Sequence, residues 1–118
     1  MAHRFKNLEI WKLSRLFCSS IYELTSTFPD SEKFGLTNQL RRASVSIASN
    51  IAEGSSRKSN KDFNRFLEIA VGSMYEIETQ LLIASDLGFI HQKELDIFLG
   101  KLESIVKMTS KFKVTLSK

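Results

Sequence analysis

At 118 residues, with 42% hydrophobic and 25% charged residues, the chain has the composition of a globular protein and the size of one domain, 1–118. Five glycines and the single Pro29 exclude a loop-rich or many-turned β architecture and favour long uninterrupted helices. A formal charge of +4 permits an anionic partner without demanding one.

The first helix is predicted from Ile10, Leu13, Phe17, Ile21, Leu24 and Phe28, which recur at three- and four-residue steps. Pro29 and the polar Asp30-Ser31-Glu32 close it. The second places Leu36, Leu40, Ala43, Ile47 and Ile51 on one face and stops at Gly54, read as a left-handed C-cap. After the polar connector GSSRKSN, Ser59 and Asp62 resemble a capping box with Asp in place of Glu. They open a third helix through Phe63, Leu67, Ala70, Met74, Ile77, Leu81 and Ala84 to Gly88. The fourth follows a tight turn near Ile90 and His91, with Leu95, Phe98, Leu102, Ile105, Phe112 and Leu116 inward. Short connections make sequential helices antiparallel neighbours, so the expected fold is all-α, an antiparallel up-down four-helix bundle.

On a helical wheel the second helix carries more than a seam. Arg42, Ser46, Ser49 and Glu53 fall on a narrow polar stripe, with Asn50 between stripe and seam. Val45, Ala48 and Ala52 make a third face of small residues, where long charged ones are expected on an exposed helix. The third helix adds Ile69, Ile83 and Leu87 on one flank and Val71, Tyr75 and Leu82 on the other. A helix apolar over most of its circumference is buried on more than one side, which points to a homo-oligomer of closed symmetry. Buried polar groups then need partners. Glu76, or Glu53 of another subunit, is the expected anion for Arg41 or Arg42. The stripe, with Ser73 and Glu76 of the third helix, reads as a structural polar network fixing register. A ligand or catalytic pocket lined by Arg42, Asn50 and Glu53 is the weaker alternative.

These same residues carry a resemblance. LEIWKLS, FPDSEKFGLTNQLRRASVSIASNIAEGSSRKS, FNRFLEIAVGSMYEIETQL and IASDLGFI are similar to the four-helix bundle family known from intervening sequences in bacterial 23S rRNA genes. The resemblance runs from about Phe5 to beyond Leu102, is most specific from Phe28 to Gly54, and is supported by Gly72, Ser73 and Glu76. Ala48 stands where the family pattern has proline, a change that suits a helix interior. The resemblance implies a four-helix protomer, related members that form ring-shaped pentamers, and no established catalytic activity. A relative of the family is accessory to the reverse transcriptase of diversity-generating retroelements, where a basic surface contacts nucleic acid and protein.

An up-down topology would gather Arg4, Lys6, Lys12, Arg57, Lys58, Lys61, Arg65, Lys107, Lys111, Lys113 and Lys118 at one end. Glu9, Glu53, Asp62, Glu68 and Glu103 are the acids there. The other end would carry Glu23, Asp30, Glu32, Glu78, Asp86, Glu94 and Asp96 against Lys33 and Lys93. A ring of parallel protomers would stack the basic ends on one rim, and phosphate backbones are attracted to such a rim without sequence specificity. The expected nucleic-acid contacts are Arg4, Lys6, Arg57, Lys58, Lys61, Arg65, Lys107, Lys111 and Lys113. RNA or DNA is the favoured partner. An acidic protein such as a reverse transcriptase could use the same rim, and lysines near a chain terminus also serve as solvating residues. No exposed aromatic run offers a base-stacking platform.

Catalytic chemistry has little to stand on. His3 lies near the terminus and His91 at a helix start, where a polar or capping role is ordinary. Small helical ribonucleases of the HEPN type place an Arg a few residues before a His, and SDLGFIH has none. Cys18 lies by the first helix's apolar side, where an inert role outweighs a nucleophilic one. No Cys/His cluster has metal-ligand spacing and no Glu-x-x-His pair occurs, so no metal or cofactor is expected. Gly72-Ser73 is mid-helix rather than in a phosphate-cradling loop, and Trp11 reads as a core anchor. The expectation is a non-enzyme. The lone Cys18 fits a reducing cytoplasm, and no apolar run approaches the ~20 residues that span a bilayer. The opening MAHRFKNLEIW lacks the apolar core of a signal peptide.

Overall fold

The computed structural model describes residues 4–117. Among them are four long helices and no strand: α1 (Glu9–Thr25), α2 (Leu36–Ser55), α3 (Asn60–Asp86) and α4 (Gln92–Leu116). Single 3-10 turns stand at Phe5–Asn7 and Asp30–Glu32. Each long helix packs on two others: α2 on α1 and α3, and α4 on α3 and α1. The inward stripes bury Ile21, Leu40, Ile47, Leu67, Met74 and Leu81 completely, each contributing about 1.5–3 kcal/mol relative to exposure. Leu13, Leu36, Phe98 and Phe112 are only half-buried. The two phenylalanines close the α4 seams through their rings, Phe98 edge-on to Phe17 at 5.9 Å and Phe112 edge-on to Phe63 at 5.5 Å.

The helix ends follow from local chemistry. Ser59 Oγ accepts the Asp62 N–H at 3.1 Å, the expected cap of α3. Gly35, before α2, has no side chain to cap with, and Glu32 Oε1 accepts the Leu36 N–H instead at 3.1 Å. At the far end of α3, Gly88 adopts a φ of 81°. The Gly88 N–H bonds to Ser85 O at 3.0 Å and the Phe89 N–H to Ala84 O at 2.9 Å. That is a Schellman motif, and its left-handed position suits a residue without a Cβ.

Gly54 does something else. The chain does not leave α2 there through a left-handed cap; the helix continues to Ser55 and Gly54 is buried in its last turn. A Cβ built on it would lie 2.7 Å from Phe66 Cβ and 2.9 Å from Phe63 Cδ1. Glycine is required because α3 crosses so close, not because of backbone handedness.

Buried hydroxyls are satisfied within their own helices. Ser14 Oγ donates to Ile10 O at 2.6 Å, Thr25 Oγ1 to Ile21 O at 2.8 Å and Thr109 Oγ1 to Ile105 O at 2.7 Å, so these groups enter the core without a desolvation penalty. Trp11 is half-buried rather than core, edge-on to Phe5 at 5.0 Å with the Arg15 guanidinium 5.5 Å from its ring.

Candidate nucleic-acid interface

Three contacts bring together the parts of the chain that carry the predicted cations. Gly54, late in α2, meets Phe63 and Phe66, early in α3. Phe63 meets Phe112, late in α4. Leu8, Glu9 and Ile10 line one depression with Met108, Lys111, Phe112 and Thr115. Around them, Arg4 and Lys6 flank the Phe5–Asn7 turn, Arg57 and Lys58 follow α2, and Lys61 and Arg65 lie in the first turns of α3. Lys107, Lys111 and Lys113 belong to the last three turns of α4. All are exposed except Lys113, which is half-buried. Lys118 and His3 lie outside the described residues.

These cations are not equivalent. The Arg57 guanidinium is held by Glu53 Oε2 at 3.1 Å and lies 4.7 Å from the Phe66 ring centre. Lys107 Nζ meets Glu103 Oε1 at 3.0 Å. Arg4, Lys6, Lys58, Lys61, Arg65, Lys111 and Lys113 have no carboxylate within ion-pair distance among the described residues. They are the cations free to neutralise an external anion.

The far ends of the helices carry the opposite charge. Glu23 of α1 and Glu94 of α4 line one depression with Lys101, and Phe28, just after α1, meets Phe89, just before α4, at 5.6 Å between ring centres. Glu32 is engaged in capping α2. His91 stands at the start of α4, exposed and without a side-chain cap bond.

The polar stripe of α2 resolves into separate small groups. Ser73 Oγ donates to Ser46 Oγ at 3.0 Å across the α2/α3 seam, and Asn50 Nδ2 donates to the same Ser46 hydroxyl at 2.9 Å and to Ser46 O at 2.8 Å. Glu76 Oε2 accepts from Gln80 Nε2 at 3.2 Å. Within the chain Glu76 takes neither arginine of α2's adjacent pair, contrary to that expectation; the alternative partner, Glu53 of another subunit, belongs to an assembly. Arg41 turns to α1: its Nε donates to Thr25 Oγ1 at 2.9 Å, its Nη2 donates to Tyr22 O at 3.3 Å, and its guanidinium lies 4.6 Å from the Tyr22 ring centre. Arg42 and Ser49 are exposed and unpartnered among the described residues. The sequence pattern missed Thr25 and Gln80 because both sit at seam positions where the reading expected apolar contact. Asn64 and Ser110 gave no motif signal, and only the α3/α4 contact brings them to one cleft.

Around this seam the protomer leaves apolar surface in water. Ile69, Ile83 and Leu87 of α3 are 47%, 43% and 57% exposed, and Val45 of α2 is 43% exposed. Ala48 and Ala52 are already half-buried in the protomer, where the Phe5–Asn7 turn also packs on α2. Cys18 is half-buried, with its Sγ 3.3 Å from the Ser44 hydroxyl. No helix among the described residues is long and apolar enough to cross a membrane.

This arrangement has known relatives. A solved structure of a protein of unknown function from the S23 ribosomal protein family of Bacteroides thetaiotaomicron superposes with a TM-score of 0.79 at 22% identity, covering 88% of this chain and 97% of that one. At that identity the likeness is one of fold. Comparison with curated proteins gives no match. The family model of the 23S rRNA-intervening sequence protein matches residues 6–111. The chain therefore belongs to the family of 23S rRNA-intervening sequence proteins.

Proposed function

We propose that this chain is a non-catalytic, nucleic-acid-associated accessory protein. Its protomer is an up-down antiparallel bundle that closes with copies of itself into a ring, with a pentamer favoured, and works in the cytoplasm. RNA or DNA phosphates are contacted through a rim built from Arg4, Lys6, Arg57, Lys58, Lys61, Arg65, Lys107, Lys111 and Lys113. The observation that carries this reading is the segregation of charge: cations without carboxylate partners gather where Phe63, Phe112 and Gly54 meet, and Glu23 and Glu94 lie at the other ends of their helices. Repetition around a ring multiplies a modest protomer charge into a continuous anion-attracting surface. The exposed Val45, Ile69, Ile83 and Leu87 support assembly, because scattered singles are ordinary but a set spread over two adjacent helices calls for cover.

The test is the salt dependence of binding to a short structured RNA. The logarithm of affinity should fall linearly with the logarithm of salt, and Lys58→Glu with Lys111→Glu should abolish binding. Binding that survives the double change, or that ignores salt, overturns the rim. A second reading is a scaffold for an acidic protein partner, such as a reverse transcriptase, with no nucleic-acid role. It is favoured by Leu16 and Ile97, 64% and 56% exposed on α1 and α4, helices whose outer faces the ring reading does not use.

A further inference from the structure

One part of the basic end is built differently from the rest. A cleft of about 320 Å³ between α3 and α4 is lined by Asn64, Ser110, Lys113, Val114 and Ser117. Lys113 is the one lysine among the described residues that is half-buried rather than exposed, and no carboxylate of the described residues lines the cleft beside it. The neighbouring depression at Lys111, by contrast, includes Glu9. Asn64 Oδ1 is buried with no hydrogen-bond partner among the described residues. The Asn64 Nδ2 is neither bonded nor buried, so the end of the amide that meets solvent is its donor end. The Ser110 hydroxyl and the Lys113 ammonium are likewise without partners among the described residues.

An ordinary role for Lys113 is to offset the free carbonyls in the last turn of α4. Part of that work is already done by Ser117, whose N–H and Oγ both donate to Lys113 O at 3.1 Å. Three donors then line one cleft, one of them the ammonium of a half-buried lysine, and no acceptor among the described residues bonds to them.

We infer that this cleft is a phosphate seat. It takes one oxyanion of a phosphodiester, with Lys113 supplying the charge and Asn64 Nδ2 and Ser110 Oγ the directed hydrogen bonds. The inference rests on the nucleic-acid reading of the rim and adds to it. The exposed lysines attract the backbone from a distance, and the cleft sets where along the rim a phosphate stops, because a charge flanked by directed donors holds an anion in register. Free inorganic phosphate has the same chemistry and serves as the independent probe.

The experiment uses the full chain in two arms. In the first, binding of a short structured RNA is followed across salt for the native protein, Lys113→Gln, Asn64→Asp and Lys107→Gln, with circular dichroism confirming that each variant is folded. Lys113→Gln should reduce the salt slope by roughly 0.7–0.9. Asn64→Asp, which puts a carboxylate at the seat, should weaken binding about tenfold or more, well beyond the effect of Lys107→Gln, whose ammonium is already held by Glu103. If the native protein binds RNA but Lys113→Gln keeps its slope, the seat is overturned and the rim stands. In the second arm, the Asn64 side-chain amide resonances are followed by NMR as inorganic phosphate is added. They should shift in the native protein and not in Lys113→Gln. If the native protein ignores RNA yet these resonances shift, the rim reading fails and the seat survives as a site for free phosphate. Absence of the shift overturns the seat whatever the RNA result.

Discussion

Gly54 of α2 and Phe66 of α3 approach so closely that a single added methyl group would stand 2.7 Å from Phe66 Cβ. The contact sets the distance between the two helices whose ends carry Arg57, Lys58, Lys61 and Arg65. Because the obstructing atom is a Cβ, it cannot swing away as a side-chain tip can; the helices must part. Gly54→Ala is therefore expected to destabilise. Overpacking costs about 1–3 kcal/mol, and the better helix propensity of Ala returns at most about 1. Urea unfolding should show a lowered midpoint. A stabilised variant would mean that α2 and α3 separate freely.

Ser46 and Ser73 form the one hydroxyl–hydroxyl bridge between α2 and α3 among the hydrogen bonds described, at 3.0 Å. Ser46→Ala removes the acceptor from a nearly buried Ser73 and one of the two acceptors from Asn50. The expected loss is about 1–2 kcal/mol. Adding Ser73→Ala should cost less than the two single losses combined, since the partner is already gone. Additive losses in a double-mutant cycle would show that the bridge contributes nothing to stability.

Two neighbouring arginines should behave oppositely. Arg41→Lys loses the Thr25 and Tyr22 hydrogen bonds and the stacking on the Tyr22 ring, for a cost of about 1–2 kcal/mol independent of protein concentration. Arg42→Ala should leave protomer unfolding within about 0.5 kcal/mol, as expected for an exposed side chain with no partner. If α2 faces another copy, Arg42→Ala should weaken association, seen as dissociation on dilution in sedimentation velocity. A strong effect of Arg42→Ala on a dilute protomer would contradict this division.

Val45 offers the clean test of assembly. The α2 small-residue face includes Ala48, but Ala48 is half-buried in the protomer, so a charge there could act on folding itself. Val45, 43% exposed, can take a carboxylate without disturbing its own chain. Val45→Glu should give folded protomers where the native protein associates. An unchanged oligomer would remove this face from the interface.

Within the rim, Lys58 and Arg57 are adjacent and should differ. Lys58 is free, and Lys58→Gln should lower the salt slope of RNA binding by roughly 0.7–0.9. Arg57 already neutralises Glu53 at 3.1 Å, so Arg57→Gln removes a cation but also releases a carboxylate that was paired. Its slope should change less if Arg57 stays on Glu53 in the complex. Equal changes would show that Arg57 abandons Glu53 for phosphate.

The helices were legible because their signal is periodic and local. Ile21, Leu40, Ile47, Leu67 and Leu81 were placed inward by spacing alone, and Ser59 with Asp62 announced the start of α3. Gly54 was misread because glycine has two uses, a left-handed turn and a close approach, and the sequence does not say where Phe66 will be. Glu76 was misassigned as an arginine partner for a related reason. Which carboxylate or hydroxyl an Arg reaches depends on the rotation of two helices about their axes, and a few tens of degrees decide between Glu76 and Thr25. The cations of the candidate interface could be named from the sequence, but not which were already occupied. Arg57 and Lys107 are held by carboxylates four residues earlier, while half-buried Lys113 shares a cleft with Asn64 of α3 and has neither partner nor neighbouring acid among the described residues.

The most direct test of the proposed function is light scattering coupled to size exclusion, at low and moderate salt, with and without a short structured RNA. The account predicts a particle that is a whole-number multiple of the 13.5 kDa protomer, stable at both salts, which gains the mass of RNA at low salt and releases it at moderate salt. A particle of protomer mass, or an oligomer whose mass is indifferent to RNA at low salt, would contradict it.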